Sequence, residues 1–186
     1  MGRLVYTTIA SFDGYVADAD GNFDWAGPDD EVHAFVNDLE RPVGTYLCGR
    51  GLYETMVYWE TAPTDDPAGS VLDDYAQIWQ SAQKVVYSST LGAAASARTR
   101  VERAFDPEQV RAMVTAADAD VSVGGPRLAG YALQSGLVSE IRLFLVPVVI
   151  GGGTRAMPEG YRVGLELLEE RRFTGGTVFV RYAVRP

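Results

Sequence analysis

The chain has 186 residues, a length that suits a single domain, and we expect one domain over residues 1–186. Its hydrophobic fraction of 47% and charged fraction of 22% are ordinary for a globular protein, which excludes a disordered chain or a collagen-like repeat. The single cysteine, Cys48, excludes an internal disulfide. The net charge of −9 argues against nucleic acid as a partner, because such binding needs a basic surface.

The sequence gives no sign of membrane attachment. The apolar run from Leu143 to Ile150 is far too short to span a bilayer, and it contains Pro147. The N-terminus shows no charged leader followed by an apolar stretch and a cleavage site. We therefore expect a cytoplasmic protein with no membrane partner.

Strands and helices alternate along the first half of the chain. A run rich in Val, Thr, Tyr and Ile predicts a strand from Arg3 to Ser11. Asp29 is positioned to cap a helix whose apolar residues recur at i, i+3, i+4 and i+7. A second strand, from Val43 to Cys48, leads through Gly49 into another helix.

The alternation continues in the second half of the chain. Ser70 and Asp106 are each expected to start a helix, the latter with Pro107 at the first helical position. Leu91 to Arg98, with four alanines, is either a short helix or a loop. Near-continuous hydrophobicity from Glu140 to Ile150 predicts a strand buried on both faces.

The C-terminal segment departs from this alternation. Two strand-like runs, Leu165 to Phe173 and Thr177 to Val184, are separated by Thr174, Gly175 and Gly176 and predict an antiparallel hairpin. Strands that are separated by helices pair in parallel, with helices on both faces of the sheet. The sequence therefore predicts an α/β fold with a mixed, mostly parallel sheet.

Glycine-bearing segments follow two predicted strands and precede helices, from Leu47 to Met56 and from Ser122 to Gly130. In open α/β sheets, ligands bind at the carboxyl ends of the strands, where helix N-termini offer free N–H groups. Each segment carries an arginine, Arg50 or Arg127, and the strand end from Ser88 to Thr90 adds three hydroxyls. The glycines either turn the chain or seat a phosphate, and the two arginines favour a phosphate-rich ligand.

Several other chemistries are not indicated. The sequence has no G-x-x-x-x-G-K-[ST] motif, and no strand is followed by G-x-G-x-x-G with an acidic residue about 20 positions later, so the common nucleotide-binding motifs are absent. One histidine, His33, and one cysteine do not make a typical zinc site, and a nucleophile–histidine–acid triad is not plausible. We expect no metal.

Five segments taken together resemble the dihydrofolate-reductase-like superfamily, in the branch that holds the reductase domain of bacterial riboflavin biosynthesis, the RibD C-terminal domain family. They are TTIASFDGYVADADGNFDW, YLCGRGLYETM, VVYSSTL, VGGPRLAGYALQSGLVSEIRLFLVPVVIGGGT and the closing hairpin, and they cover nearly the whole chain. The resemblance implies a three-layer α/β/α fold and an oxidoreductase that uses NADPH. It also implies a homodimer, with the region from Leu143 to Ile150 and the C-terminal strands as the candidate interface.

The resemblance assigns a set of cofactor-binding residues. The glycine pair would face the pyrophosphate of NADPH, and the Gly-Arg segment would meet its 2′-phosphate. The hydroxyl-bearing strand end would lie beside the adenine ribose, and the end of the first strand would contact the nicotinamide through its backbone. The implied residues are Ala10, Gly49, Arg50, Gly51, Leu52, Ser88, Ser89, Thr90, Gly124, Gly125, Pro126, Arg127 and Leu128.

The substrate side is expected near the loop SFDGYVADADGNFDW, which is either a mobile lid or a solvated connection. Relatives hold the substrate ring with a carboxylate on the first helix, which implies Asp30, with Glu31 as the alternative. Asp13 is a third carboxylate that would orient the substrate or relay a proton. The implied pocket residues are Trp25, Phe35 and Tyr53, and the first two are equally consistent with simple packing.

Two positions depart from the family pattern. Leu52 stands where many relatives have a threonine, and Val123 stands where riboflavin-pathway reductases usually have a glutamate. We therefore predict an NADPH-dependent reductase that acts on a small pterin- or pyrimidine-like heterocycle. The alternatives are a non-catalytic nucleotide- or pterin-binding protein, the 5-amino-6-(5-phosphoribosylamino)uracil reductase of riboflavin biosynthesis, and an oxidoreductase that uses a flavin or deazaflavin.

Overall fold

The computed structural model describes residues 2–63 and 69–185. The strands are β1 (Leu4–Ser11), β2 (Tyr15–Ala17), β3 (Val43–Gly49), β4 (Gln83–Tyr87), β5 (Thr99–Glu102), β6 (Asp120–Gly124), β7 (Glu140–Val146), β8 (Thr154–Arg155), β9 (Gly164–Arg172) and β10 (Val178–Arg185). The α-helices are α1 (Asp30–Glu40), α2 (Arg50–Met56), α3 (Val71–Ser81), α4 (Pro107–Ala116) and α5 (Pro126–Gln134), and two short 3₁₀ helices span Asp24–Ala26 and Val57–Glu60.

Eight strands form one sheet in the order β5-β4-β3-β6-β1-β7-β10-β9. The pairs from β5 to β7 are parallel, and β10 pairs antiparallel with both β7 and β9. The predicted mixed, mostly parallel sheet and the C-terminal hairpin are therefore confirmed. Strands β2 and β8 pair separately, as a small two-stranded sheet.

Helices cover both faces of the sheet, which gives three layers. Leu47 and Val85 point toward one face and pack in a cluster with Val110 of α4 and Leu128 of α5. The next residue along β3, Cys48, packs on the opposite face with residues of α2 and α3, and α1 lies on the same side over the C-terminal strands. This alternation follows from the two-residue period of a strand.

The three predicted helix starts are confirmed by their caps. Asp29 accepts a hydrogen bond from the Val32 N–H at 2.9 Å, and Ser70 accepts one from the Asp73 N–H at 3.1 Å. Asp106 accepts from the Glu108 N–H at 2.9 Å, with Pro107 at the first helical position. Each such cap is worth about 1 kcal/mol to its helix.

One expected boundary differs from the structure, and one alternative that the sequence left open is decided by it. The strand expected to run from Glu140 to Ile150 ends at Val146, because Pro147 has no N–H with which to continue the ladder. The segment from Leu91 to Arg98 is a loop, and Arg98 adopts a positive φ of 52°, which a helix does not allow. Among the described residues, no helix is both long enough and apolar enough to cross a membrane.

The sheet opens on one side of β1 near its carboxyl end. Strand β1 pairs with β6 only as far as Tyr6 and Val123, whereas it pairs with β7 as far as Ser11 and Val146. Strand β6 ends at Gly124, so the last residues of β1 extend past it. A gap of this kind, between neighbouring parallel strands, is where ligands bind in open α/β sheets.

Candidate functional site

The strand ends that the sequence singled out lie at one edge of the sheet. Gly49 at the end of β3 is in register with Tyr87 at the end of β4, and Cys48 is in register with Gly124 at the end of β6. The glycine pair, the Gly-Arg segment and the hydroxyl-bearing loop after β4 therefore lie next to one another. The structure brings together the segments that were predicted to bind the cofactor.

The glycine pair lies close to neighbouring elements. Gly125 has a φ of +86° and caps α5, and a β-carbon there would lie 3.7 Å from the backbone nitrogen of Gly49. Gly124 lies against the side chain of Leu52, which fills the space that a β-carbon on residue 124 would need. The positive φ favours glycine at position 125, and the contact with Leu52 leaves little room for a side chain at position 124.

The first turn of α5 begins directly behind the glycine pair. Pro126 occupies the first helical position, where its missing N–H costs nothing. Leu128 is buried against the core, whereas Arg127 is exposed. The first N–H groups of a helix have no partner within it, so this end of α5 offers donors and a partial positive charge.

Arg50 connects two of the predicted segments. Its Nε donates to Glu54 Oε1 at 2.7 Å, and its Nη1 donates to Thr90 Oγ1 at 2.9 Å. Within the described part of the chain, Nη2 has no partner. The guanidinium is thus held in place by two contacts while part of its donor set stays open to an anion. Gly51 and Ser89 beside it are exposed.

The loop after β4 is shaped by contacts that the sequence did not reveal. Ser88 is buried, and its hydroxyl accepts hydrogen bonds from the N–H groups of Thr90 and Leu91 at 3.3 and 3.0 Å. Arg103 then donates from Nη1 to the carbonyl oxygens of Ser88 and Leu91 at 3.2 and 2.7 Å. Arg103 follows the short strand β5, which the sequence pattern did not predict, so its role had no visible signal.

Ala10 lies near the carboxyl end of β1. Its side chain is fully buried, and its backbone pairs with β7 in register with Leu145. Its other edge faces the opening beside β6, because the pairing with that strand ends at Tyr6. Because the whole residue is buried, contact between its backbone and a nicotinamide stays a prediction. Val123, by contrast, is fully buried in the cluster that contains Leu128 of α5.

Asp13 fastens the loop after β1 to the glycine-rich segment after β7. Its carboxylate accepts from Ser11 Oγ at 2.7 Å, from the Gly151 N–H at 2.8 Å and from the Ile150 N–H at 3.2 Å. These donors, with Ser11 foremost, lower the pKa of the Asp13 carboxyl below its usual value. A carboxylate that is ionised and accepts three hydrogen bonds is suited to holding the two loops together rather than to donating a proton.

The two acidic residues at the start of α1 lie in different surroundings. Glu31 accepts a hydrogen bond from the Thr174 N–H at 2.9 Å and lies 3.6 Å from Arg171, and these contacts lower the pKa of its carboxyl. Asp30 forms no hydrogen bond or ion pair with the described residues, although its charge acts on His33. Of the two, Asp30 is the carboxylate left open to a ligand.

The three aromatic residues expected at the substrate pocket are not equivalent. Trp25 is partly buried, and its indole Nε1 has no hydrogen-bond partner within the described residues. Phe35 packs in an aromatic cluster, with ring centroids 4.9 Å from Phe179. Tyr53 is 2% exposed, and its hydroxyl accepts from the Ala95 N–H at 2.8 Å and bonds Ser96. In the structure Phe35 and Tyr53 pack inside the fold. That either residue contacts the substrate stays a prediction.

His33, the single histidine of the chain, is buried. It lies on α1, buried between Trp59 and Tyr75, with ring centroids at 5.9 and 5.6 Å. Burial lowers the pKa of its imidazole, and the charges of Asp30 and Asp74 oppose that shift. The described residues contain no group of three or more metal-ligating side chains close enough to hold an ion.

Comparisons with known proteins agree with this architecture. The chain is 26% identical over 188 residues to the uncharacterized protein YyaP of Bacillus subtilis, covering 97% of this chain and 94% of that one. A putative riboflavin biosynthesis protein from Shewanella sp. PV-4 has the same fold, with a TM-score of 0.76, 18% identity and 99% of both chains covered.

A second solved structure is a bifunctional enzyme of Thermotoga maritima, described as a diaminohydroxyphosphoribosylaminopyrimidine deaminase and 5-amino-6-(5-phosphoribosylamino)uracil reductase. It matches with a TM-score of 0.67 and 13% identity over 99% of this chain, which spans 57% of that protein. The family model for the RibD C-terminal domain matches residues 3–179. With the fold and the order of the strand-end segments in agreement, the chain belongs to the RibD C-terminal domain family.

Proposed function

We propose that the protein is an NADPH-dependent reductase that transfers hydride to a small pterin- or pyrimidine-like heterocycle. The observation that carries this proposal is the meeting of Gly49, Gly125 and the Arg50–Thr90 pair at one edge of the sheet, beside the N-terminus of α5. Membership of a family named for a riboflavin biosynthesis protein supports a reductase of this general type.

The edge of the sheet fits the phosphates of a dinucleotide. Because the chain carries a net charge of −9, an anionic ligand needs locally placed donors. Arg50 and Arg127 supply two guanidinium groups, and the first turn of α5 supplies backbone N–H groups. Gly125 has no side chain and a φ of +86°, which lets a phosphate approach the backbone at that position, whereas Gly124 is covered by Leu52. Arginine with phosphate forms strong, charge-assisted hydrogen bonds.

NADPH, when bound, supplies the hydride, and the residues of the chain supply binding, orientation and proton control. The backbone at Ala10 would orient the nicotinamide end at the opening beside β1.

Asp30 is the carboxylate that we assign to the substrate. Glu31 and Asp13 are each committed to several donors that keep them ionised, whereas Asp30 has no such partners among the described residues. The charge of an open carboxylate can stabilise a protonated imine as the imine accepts hydride. The phosphoribosylaminouracil of the riboflavin pathway is an alternative substrate.

Two measurements test this proposal together. Equilibrium binding of NADPH to the purified protein is expected, followed by loss of reduced-nicotinamide absorbance when a pterin, pyrimidine, flavin precursor or cyclic imine is added. Binding without oxidation by any compound would favour the non-catalytic binding protein. A yellow chromophore that copurifies with the protein would favour the flavin or deazaflavin alternative, and no NADPH binding at all would contradict the cofactor assignment.

We further propose that two copies of the chain associate through the outer half of the sheet. On the face that carries α4 and α5, the strand register aligns Leu143 with Val180 and Tyr182 with Leu167. The buried cluster beneath these helices draws on β1, β3, β4, β6 and the start of β7, so the outer strands extend beyond it. Leu167 is 47% exposed, which leaves an apolar sheet face to be covered.

A second copy suits this face because its charges are self-complementary. Glu170 and Arg172 lie on the same face of the sheet, paired across the strands with Val180 and Val178 of β10. A two-fold axis can bring the acid of one copy to the base of the other. Light scattering is expected to give a dimer for the wild type and a monomer for Leu167→Glu, whereas Glu166→Gln on the opposite face stays dimeric. A monomeric wild type would contradict the proposal.

A further inference from the structure

We infer that Tyr131 forms an aromatic platform on which the adenine ring of the cofactor stacks, and this inference rests on the proposed function. Tyr131 projects from α5 and is 52% exposed. Its ring lies on that of Phe105, with centroids 6.3 Å apart and planes inclined by 29°. Phe105 in turn contacts Tyr87, at 5.4 Å and 60°.

The platform begins where the proposed phosphate seat ends. Arg127 and Tyr131 are four residues apart on α5, so they share one face of the helix about 6 Å apart along its axis. Gly125 caps the same helix. From the glycine pair, the surface therefore passes from backbone N–H groups to a guanidinium and then to an aromatic ring, which is the order of groups that the adenosine half of NADPH requires.

The other wall of this surface is the loop after β4. Tyr87, at the base of the aromatic group, is followed directly by Ser88, and Arg103 fixes that loop through two carbonyl oxygens. Phe105 comes two residues after Arg103. One segment thus both fixes the hydroxyl-bearing loop and supports the ring of Tyr131, so the two walls are held in a fixed relation.

The packing of α5 does not require an aromatic residue at position 131. The buried side of this helix consists of Leu128, Ala129, Gly130, Ala132 and Leu133. Tyr131 lies on the opposite side, with one ring face toward Phe105 and much of its surface in water. A purine that covers such a face gains stacking energy, since every base has a flat π-surface.

The test separates the two halves of the cofactor. Adenosine 2′,5′-bisphosphate carries the adenine end, and reduced nicotinamide mononucleotide carries the hydride end alone. For Tyr131→Ala, we expect binding of NADPH and of the bisphosphate to weaken about tenfold, with the mononucleotide unchanged. Tyr131→Phe keeps the ring and is expected to bind within about twofold of the wild type, whereas Tyr131→Leu keeps only apolar bulk and is expected to behave like alanine.

Tyr58→Ala is the matched control, because Tyr58 is a similarly exposed tyrosine, at 62%, on the 3₁₀ helix after α2. It is expected to bind all three ligands as the wild type does. Saturation-transfer NMR adds a direct readout: irradiation of aromatic protein protons is expected to saturate the adenine protons of the bisphosphate strongly in the wild type and weakly in Tyr131→Leu.

The possible failures are distinguishable. A wild type that binds neither NADPH nor the bisphosphate would overturn the proposed function together with this inference. A wild type that binds both, with Tyr131→Ala and Tyr131→Leu binding the bisphosphate equally well, would overturn the inference alone.

Discussion

The side chain of Leu52 closes over Gly124, and its Cδ2 methyl stands where a β-carbon on residue 124 would have to be. Residue 52 is the position at which many relatives carry a threonine, so the departure from the family pattern is in direct contact with the glycine pair. Gly124 therefore has a packing reason to be glycine, apart from any phosphate. Gly125 has a conformational reason, because its φ is +86°.

This contact predicts strong coupling between positions 52 and 124. Gly124→Ala is expected to destabilise the protein by about 1–3 kcal/mol, because the new methyl overpacks against Leu52. In the Leu52→Ala background, the cost of the same substitution is expected to fall by at least half, since the space is then free. Urea unfolding of the four proteins measures the coupling, and additive effects of the two substitutions would show that Leu52 does not set the limit.

A hydroxyl at position 52 is expected to strengthen cofactor binding. Leu52→Thr would place a hydrogen-bond donor beside the glycine pair, whereas Leu52→Val removes similar bulk without adding one. A neutral hydrogen bond is worth about 0.5–1.5 kcal/mol, so the Leu52→Thr variant should bind NADPH about 2- to 10-fold more tightly than the Leu52→Val variant. Titration calorimetry on the two variants gives the comparison, and equal affinities would place the phosphates away from this residue.

Arg50 is expected to distinguish NADPH from NADH. Its Nη1 is held by Thr90 and its Nε by Glu54, which orients the guanidinium toward the strand-end edge. Arg50→Ala should weaken NADPH about tenfold or more and NADH by only a few-fold, because charge-assisted contacts with the extra phosphate are lost. Arg111→Ala, on the exposed side of α4, is the control. Similar losses for NADPH and NADH would contradict a contact with the 2′-phosphate.

His33 predicts a pH dependence of stability near neutrality. Burial between Trp59 and Tyr75 lowers the folded-state pKa of its imidazole, so the unfolded chain binds a proton more readily. The contribution is fully present above the unfolded value of about 6.5 and is lost as the pH falls toward the lower folded value.

Because the chain has a single histidine, its removal should flatten the stability profile in this range. His33→Phe and His33→Gln are both expected to reduce the difference in urea midpoint between pH 7 and pH 5. An undiminished difference in both variants would assign the dependence to the carboxylates.

Local signals explain what the sequence could predict. Asp29, Ser70 and Asp106 indicated their helices because a cap depends on residues within one turn. The order of the strand-end segments likewise located the edge of the sheet at which they meet. Strand β5, with four residues, and the β2–β8 pair were missed, because such short strands are defined by their partners in space rather than by periodicity.

Long-range contacts explain what the sequence could not predict. The sequence predicts Tyr53 as a pocket residue, yet its hydroxyl forms hydrogen bonds with Ala95 and Ser96, more than forty positions away. Glu31 and Asp30 are adjacent in sequence and both acidic, so the sequence does not distinguish them. Their difference comes from Thr174 and Arg171 in the C-terminal hairpin, which only the folded chain brings to α1.

That difference leads to a prediction about the three acidic candidates. With the compound that the wild type reduces fastest, Asp30→Asn is expected to lower kcat/KM by about 100-fold, because a positioned group that relays a proton to the substrate contributes roughly 10²- to 10⁴-fold. Glu31→Gln and Asp13→Asn should change kcat/KM by only a few-fold, since their carboxylates hold Thr174 and Gly151.

The pH dependence of stability separates the same residues. The lowered pKa of the Glu31 and Asp13 carboxyls stabilises the fold at pH values above about 4, the usual pKa range of carboxyl groups. This stabilisation is lost as the pH falls through the folded-state pKa values. The gap in urea midpoint between the wild type and either amide variant should therefore shrink from pH 7 toward pH 3. If Glu31→Gln loses turnover while Asp30→Asn stays fully active, the catalytic assignment moves to Glu31. A residue that only ties α1 to the hairpin would alter stability without stopping hydride transfer.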